Sequence, residues 1–260
     1  MTKSLMEGAL SAAFLEDINK WLSLSNNVYG GFWTGIQYAY MFVQAIGFGL
    51  MAAFFLKALL QESTKDNLTV ETLGKLMIGL IISLTVITHI PDITNAFLRI
   101  AENASGYVLT DMKRDMDTAP GQDSAGVIGE AINAWYAKTP KLLAFFQALV
   151  FFVIHQVCVI AFDFAIVSRA IDIGWRVAIA PISCADMFEG ANSPGVRHLK
   201  SIFGSALVAL LLAVIAQAGT LLVGGLLSGT DDGTIFMAIA CQVALAGAAV
   251  GANQKAREIL

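Results

Sequence analysis

Long apolar runs set the terms for this chain. They fall at about Gly35 to Leu60, Val70 to Ile90, Leu142 to Ala161, Ile202 to Leu227 and Thr234 to Asn253, each nearly free of charge. About 20 apolar residues in a helix are enough to cross the ~30 Å hydrocarbon core of a bilayer. Five such runs predict an all-α, polytopic membrane protein with about five transmembrane helices. Composition agrees: 57% of the 260 residues are hydrophobic and 14% charged, with a mean hydropathy of +0.69. A soluble domain of this size does not normally carry such a balance.

The polar groups inside the runs are few. In the first span they are Gln37, Gln44 and Lys57, the last placed to snorkel to the interface. The second has Lys75 near one end and His89 near the other, and Pro91-Asp92 is expected to break or kink it. After the third, Asp163, Arg169, Asp172 and Arg176 enter a pattern that still reads as helix, until Ala180-Pro181 is expected to end it. Glu189-Gly190-Ala191-Asn192 reads as a turn, Ser193 as an N-cap and Pro194 as the first residue of the next helix. In the fifth span Gly247 and Gly251 form a GxxxG spacing that predicts close packing on a neighbouring helix.

Between the spans, three segments have an amphipathic character expected of interfacial helices. Residues 1–34 place Leu10, Phe14, Ile18, Trp21 and Leu22 at helical spacing, suited either to the membrane surface or to a partner subunit. Charged residues in this stretch interrupt any continuous apolar core of a cleavable signal peptide. Residues 99–141 form the one long polar connection, and its second half carries Trp135 and Tyr136 as interfacial aromatics. Residues 163–200, within the 142–253 block of spans, form the third. Spans one and two occupy 35–98, and 254–260 is the tail.

Charge fixes an expected orientation. The short Ser228–Gly233 turn has no basic residue, whereas the segment before the fourth span has Arg169, Arg176, Arg197 and Lys200. Short positively charged loops stay cytoplasmic. The N-terminus and the 99–141 loop are therefore expected outside a bacterial inner membrane, and the C-terminus in the cytoplasm.

Chemistry is sparse by comparison. No HExxH, GxSxG or P-loop motif occurs, so an enzyme is not expected. Cys158, Cys184 and Cys241 lack metal or disulfide spacing and read as packing residues, and neither metal nor cofactor is expected. His155 and Asp163, eight residues apart and so about 80° around a helix of ~3.6 residues per turn, could share a cavity as a proton relay. The alternative puts Asp163 at the interface and has the deeper His155 hydrogen-bond a neighbouring helix. Gln156, like Gln37, Gln44, Gln147, Gln217 and Gln242, suits either a hydrated path or interhelical hydrogen bonds. Arg169, Asp172 and Arg176 are spaced for an ion-pair ladder on an exposed helix face. With Trp175 they alternatively form a docking or gating surface.

The stretch Arg169-Ala-Ile-Asp-Ile-Gly-Trp175-Arg176-Val-Ala-Ile-Ala-Pro181-Ile-Ser, followed by Gly195-Val-Arg197-His-Leu-Lys200, resembles the TrbL-type family, the polytopic inner-membrane subunit of type IV secretion and conjugation systems. The topology resembles that family along the whole chain, although the external loop is short for it and a long C-terminal extension is lacking. The resemblance implies an oligomeric channel or platform that passes DNA or protein, powered by cytoplasmic ATPases and working with other secretion-system membrane subunits. It carries over Arg169, Trp175, Arg176 and Pro181 as structural or gating residues, joined by Asp172 through its ion-pair spacing. The competing expectation is a stand-alone secondary transporter or ion channel using His155 and Asp163.

Overall fold

The structure, a computed structural model, describes residues 18, 20–23, 29–64, 69–111, 140–190, 192–227 and 233–258. Among these residues there is no strand. Five helices account for nearly all of them: α1 (Gly30–Thr64), α2 (Val70–Gly106), α3 (Lys141–Ser183), α4 (Pro194–Leu227) and α5 (Gly233–Glu258). A π-helical turn, Tyr107–Asp111, prolongs α2, and a short 3₁₀ turn, Met187–Glu189, lies between α3 and α4.

Four helices, α1 to α4, are long and apolar enough to cross a membrane. Helix α5 has 26 residues with a 17-residue apolar stretch, Phe236–Ala252. The chain is an all-α, multi-pass membrane protein. Its exposed residues accord with this: Phe42, Val70 and Leu142 have 74%, 90% and 74% of their surface uncovered, and lipid is the environment that favours such a surface.

At two prolines the helices run on: the break considered at Pro91 does not occur, and the end expected at Pro181 falls slightly later. Helix α2 runs through Pro91 and, with its π-helical turn, continues past residue 99 to Asp111. Helix α3 is a single element of 43 residues that passes Pro181 and stops two residues later, at Ser183. A proline removes one backbone hydrogen bond and clashes with the preceding turn, but a helix survives this where neighbouring groups take over the freed carbonyl. The start of α4 follows the expectation. Pro194 is its first residue, and the Ser193 hydroxyl accepts the Val196 amide at 3.4 Å.

Two compact units divide the chain, and α2, α3 and α4 each contribute to both. One unit takes its described residues from Met1–Ser23, Ile100–Ser168 and Leu207–Ala256. Its core joins Phe162, Ala165 and Ile166 of α3, the alanine-rich face Ala209-Ala213-Ala216 of α4, Ala249 and Ala252 of α5, and Ile18 and Leu22. Small side chains allow helix backbones to approach closely. A second cluster packs Phe151 against Val223 and Ala238. Of the N-terminal amphipathic pattern the described residues are Ile18 and Leu22, which are buried, and Trp21, which is 38% exposed. Leu10 and Phe14 of that pattern, residues 112–139 and residues 228–232 lie outside the described residues.

The other unit takes its residues from Leu24–Arg99, Arg169–Ala206 and Arg257–Leu260. Its core holds Tyr40 and Met51 of α1, Ile87, Ile90 and Leu98 of α2, Ile173, Val177 and Ala180 of α3, and Ile202 and Ala206 of α4. Helix α1 comes so near α3 that a Cβ on Gly47 would lie 2.6 Å from the Pro181 carbonyl oxygen. Phe97 and Phe203 meet edge to face, with ring centroids 4.6 Å apart. The connection from α3 to α4 is tied down by Asp186, whose carboxylate accepts the Gly195 amide at 3.0 Å, and Gly190 turns the chain with φ of 119°, a conformation that favours glycine.

Candidate functional site: a buried charged cluster between α3 and α4

In the second unit, one turn of α3 after another directs a charged side chain inward. Arg169, Asp172 and Arg176 follow the i, i+3, i+4 rhythm that keeps side chains on one face, and Ile173, Val177 and Ala180 of the same face are core residues. The face is therefore buried. This corrects the expectation of an exposed ladder: Arg169 has no exposed surface, and the side chains of Arg176 and Asp172 retain 10% and 11% of theirs.

Asp172 is the centre. Its Oδ2 accepts from Arg176 Nε at 3.0 Å and from the Ser205 hydroxyl of α4, and its Oδ1 accepts from the Trp175 indole N–H at 3.3 Å. Arg176 Nη1 donates to the Ser201 hydroxyl at 2.6 Å, and that hydroxyl donates to the His198 carbonyl at 2.6 Å. His198 Nε2 lies 3.0 Å from the Arg176 carbonyl oxygen and must be the donor, since a carbonyl can only accept. Arg169 reaches the same helix from one turn away, with Nε 3.3 Å from the Ser205 carbonyl and Nη2 3.5 Å from that of Ala206. The Ser205–Asp172, Arg176–Ser201, His198–Arg176 and Arg169 contacts tie α3 to α4.

Taking two ions out of water costs several kcal/mol each, and attraction offsets this only when geometry is good and the remaining lone pairs and protons are satisfied. Asp172 meets that condition with donors from three side chains. The result is a rigid joint between α3 and α4 inside an otherwise apolar core. Trp175 is its outward element. The indole is 47% exposed, yet it is held by Asp172 and by the Arg176 guanidinium, which sits 5.2 Å from the ring centroid. A large aromatic pre-oriented through its N–H and flanked by exposed Ile171 and Ile179 is an apolar surface suited to docking.

Pro181 stands one turn beyond Arg176, against Gly47 of α1. Cys184 follows. It is fully buried, its thiol 3.8 Å from the Gly195 carbonyl, and burial together with the Asp186 carboxylate pushes its pKa up to about 12. It stays a neutral packing group with a weak hydrogen bond.

The other predicted residues are not drawn into this cluster. His155 is buried in the first unit, where its Nδ1 accepts from Gln242 Nε2 of α5 at 3.4 Å, and Cys158 donates to the Gln242 carbonyl at 3.3 Å. This is the interhelical alternative. Asp163 and Gln156 are at exposed positions, whereas His155 is buried. The other glutamines divide: Gln217 and Gln242 are buried, Gln37, Gln44 and Gln147 half-buried. A Cβ on Gly247 or Gly251 would meet nothing within 4 Å, so neither makes the close approach that their spacing permits. The close approach is made by Gly219 of α4, where a Cβ would lie 2.5 Å from Leu245 of α5.

Ser201, Ser205 and His198 escaped the sequence reading. Their spacing at i, i+3 and i+7 on α4 was the available signal, because those positions fall on one helix face. Among the described residues there is no metal-holding group of His, Cys, Asp and Glu. No protein-family model, curated protein or solved structure matches the chain.

Proposed function

We propose that the chain is an inner-membrane subunit of a type IV secretion or conjugation machine. In this reading it is a non-enzymatic, oligomeric channel or platform that passes DNA or protein, driven by cytoplasmic ATPases and assembled with other membrane subunits. The N-terminus faces outward and the C-terminus the cytoplasm. One observation carries the reading. The stretch that resembles the TrbL-type family, Arg169 to Lys200, is also where the multi-pass fold concentrates buried charge and offers a fixed, exposed Trp175.

A joint of this kind suits a gate or docking platform better than a reaction centre. Its charges are met by protein partners, which holds α3 and α4 as one body and leaves the outward, apolar part of the Trp175 ring for a partner. Affinity purification of the full chain from native membranes tests this. Recovery of secretion ATPases and further membrane subunits is the expected result. Recovery of the chain alone, together with ion flux when it is placed in liposomes, would replace the proposal with the stand-alone transporter.

A further inference from the structure

Helix α2 passes through Pro91, which has no N–H to offer the Ile87 carbonyl four residues earlier. That carbonyl lies in the core, since Ile87 and Ile90 have no exposed surface. A buried carbonyl without a donor is costly, and in lipid no water replaces it. The donor comes from another helix. The Tyr40 hydroxyl of α1 donates to Ile87 O, and Gln44 Nε2, one turn further along α1, lies 3.5 Å from the same oxygen.

The turns before Pro91 are softened as well. Ser83, Thr85 and Thr88 each donate to the carbonyl four residues back, Gly79, Ile81 and Leu84, at 2.9, 2.8 and 2.8 Å. Such back-bonding weakens and often bends a helix. A turn beyond the proline, the buried Thr94 hydroxyl has no partner among the described residues. Weakening features thus converge on residues 83–94, and one external donor pair bridges the gap at their centre. The same face of α1 continues to Gly47, whose backbone abuts Pro181 of α3.

We infer that Pro91 is a hinge in α2 and that Tyr40, assisted by Gln44, is its latch. With the hydroxyl on Ile87 O the freed carbonyl is satisfied and α2 is held in its present line. When α1 withdraws, the carbonyl loses its donor and α2 bends at residues 87–91. Displacement of α1 is thereby coupled to the shape of α2, independently of which substrate the protein handles.

Pro91→Ala restores the missing N–H, which makes the latch dispensable, so a double-mutant cycle decides the matter. Full-length Tyr40→Phe, Pro91→Ala and the double variant are reconstituted in lipid nanodiscs, and thermal midpoints and amide exchange across residues 83–94 are measured. Tyr40→Phe alone should lower the midpoint by roughly 3 °C, the scale of one lost hydrogen bond in a chain of this size, and speed exchange locally. In the Pro91→Ala background the same change should leave both readouts unaltered. An equal midpoint shift in the two backgrounds, or unchanged exchange in Tyr40→Phe, overturns the inference. Should Tyr40→Phe not accumulate, the double variant accumulates like Pro91→Ala if the latch is right, and fails like Tyr40→Phe if it is wrong.

Discussion

Asp172→Asn separates a buried joint from a surface ladder. The substitution keeps the size of the side chain and one acceptor oxygen but removes the charge facing Arg176. Both side chains are only about one-tenth exposed, at 11% and 10%, so solvent does little to screen the loss. Breaking one partner of a buried ion pair costs ~3–5 kcal/mol, whereas an exposed i,i+4 pair contributes ~0.3–0.5 kcal/mol. Asparagine retains an oxygen for the Ser205 hydroxyl or the Trp175 indole, so we expect the lower end, about 3 kcal/mol. In a chain of this length that is a fall of roughly 6–12 °C in thermal midpoint. Differential scanning fluorimetry of the protein in one fixed detergent measures it. Arg176→Met in the Asp172→Asn background should recover part of the loss, because the cation left without its carboxylate is then gone. A loss within about 1 kcal/mol, or a double variant whose losses simply add, would refute the buried joint.

Three further outcomes are expected. Gly47→Ala puts a Cβ 2.6 Å from the Pro181 carbonyl and should destabilise by ~1–3 kcal/mol; Gly49→Ala, which meets nothing within 4 Å, should be neutral or slightly stabilising, as read by parallel melts. Cys184 should resist maleimide in the folded protein at pH 8. Because its folded pKa is raised from 9.0 to about 12, its contribution to stability is whole below pH 9 and declines as pH rises from there toward about 12, a loss that Cys184→Ala should abolish in melts across that range. Asn192→Cys, on the exposed α3–α4 connection, should label from the cytoplasm and Ser124→Cys from outside, with the native thiols replaced; the reverse pattern would invert the orientation.

The sequence was most informative where one residue type has one physical consequence. Long uncharged runs could only be buried or lipid-facing helices, and Ser193-Pro194 marked the start of α4 because a hydroxyl cap and an N1 proline suit a helix start. Proline was misleading in the other direction. At Pro91 and Pro181 it signals a missing hydrogen bond, but whether the helix ends depends on donors from elsewhere, and Tyr40 is 47 residues from Ile87. Arg169, Asp172 and Arg176 showed their helical spacing but not their burial, which depends on what packs over that face. Ser201 and Ser205 were overlooked because serine is equally at home on a surface or beneath a charge. The GxxxG pair showed the reverse: its spacing permits close approach, but the contact is made through Gly219.

The central claim, that Trp175 on its charged joint serves a secretion machine, is tested most directly by transfer. A strain lacking the chain is complemented with wild type or Trp175→Ala, and plasmid transfer and membrane level are measured together. Wild type should restore transfer, and Trp175→Ala should insert at the wild-type level while transfer falls well below it. Undiminished transfer in the deletion strain would contradict the assignment, and full transfer by Trp175→Ala would contradict the role given to the indole.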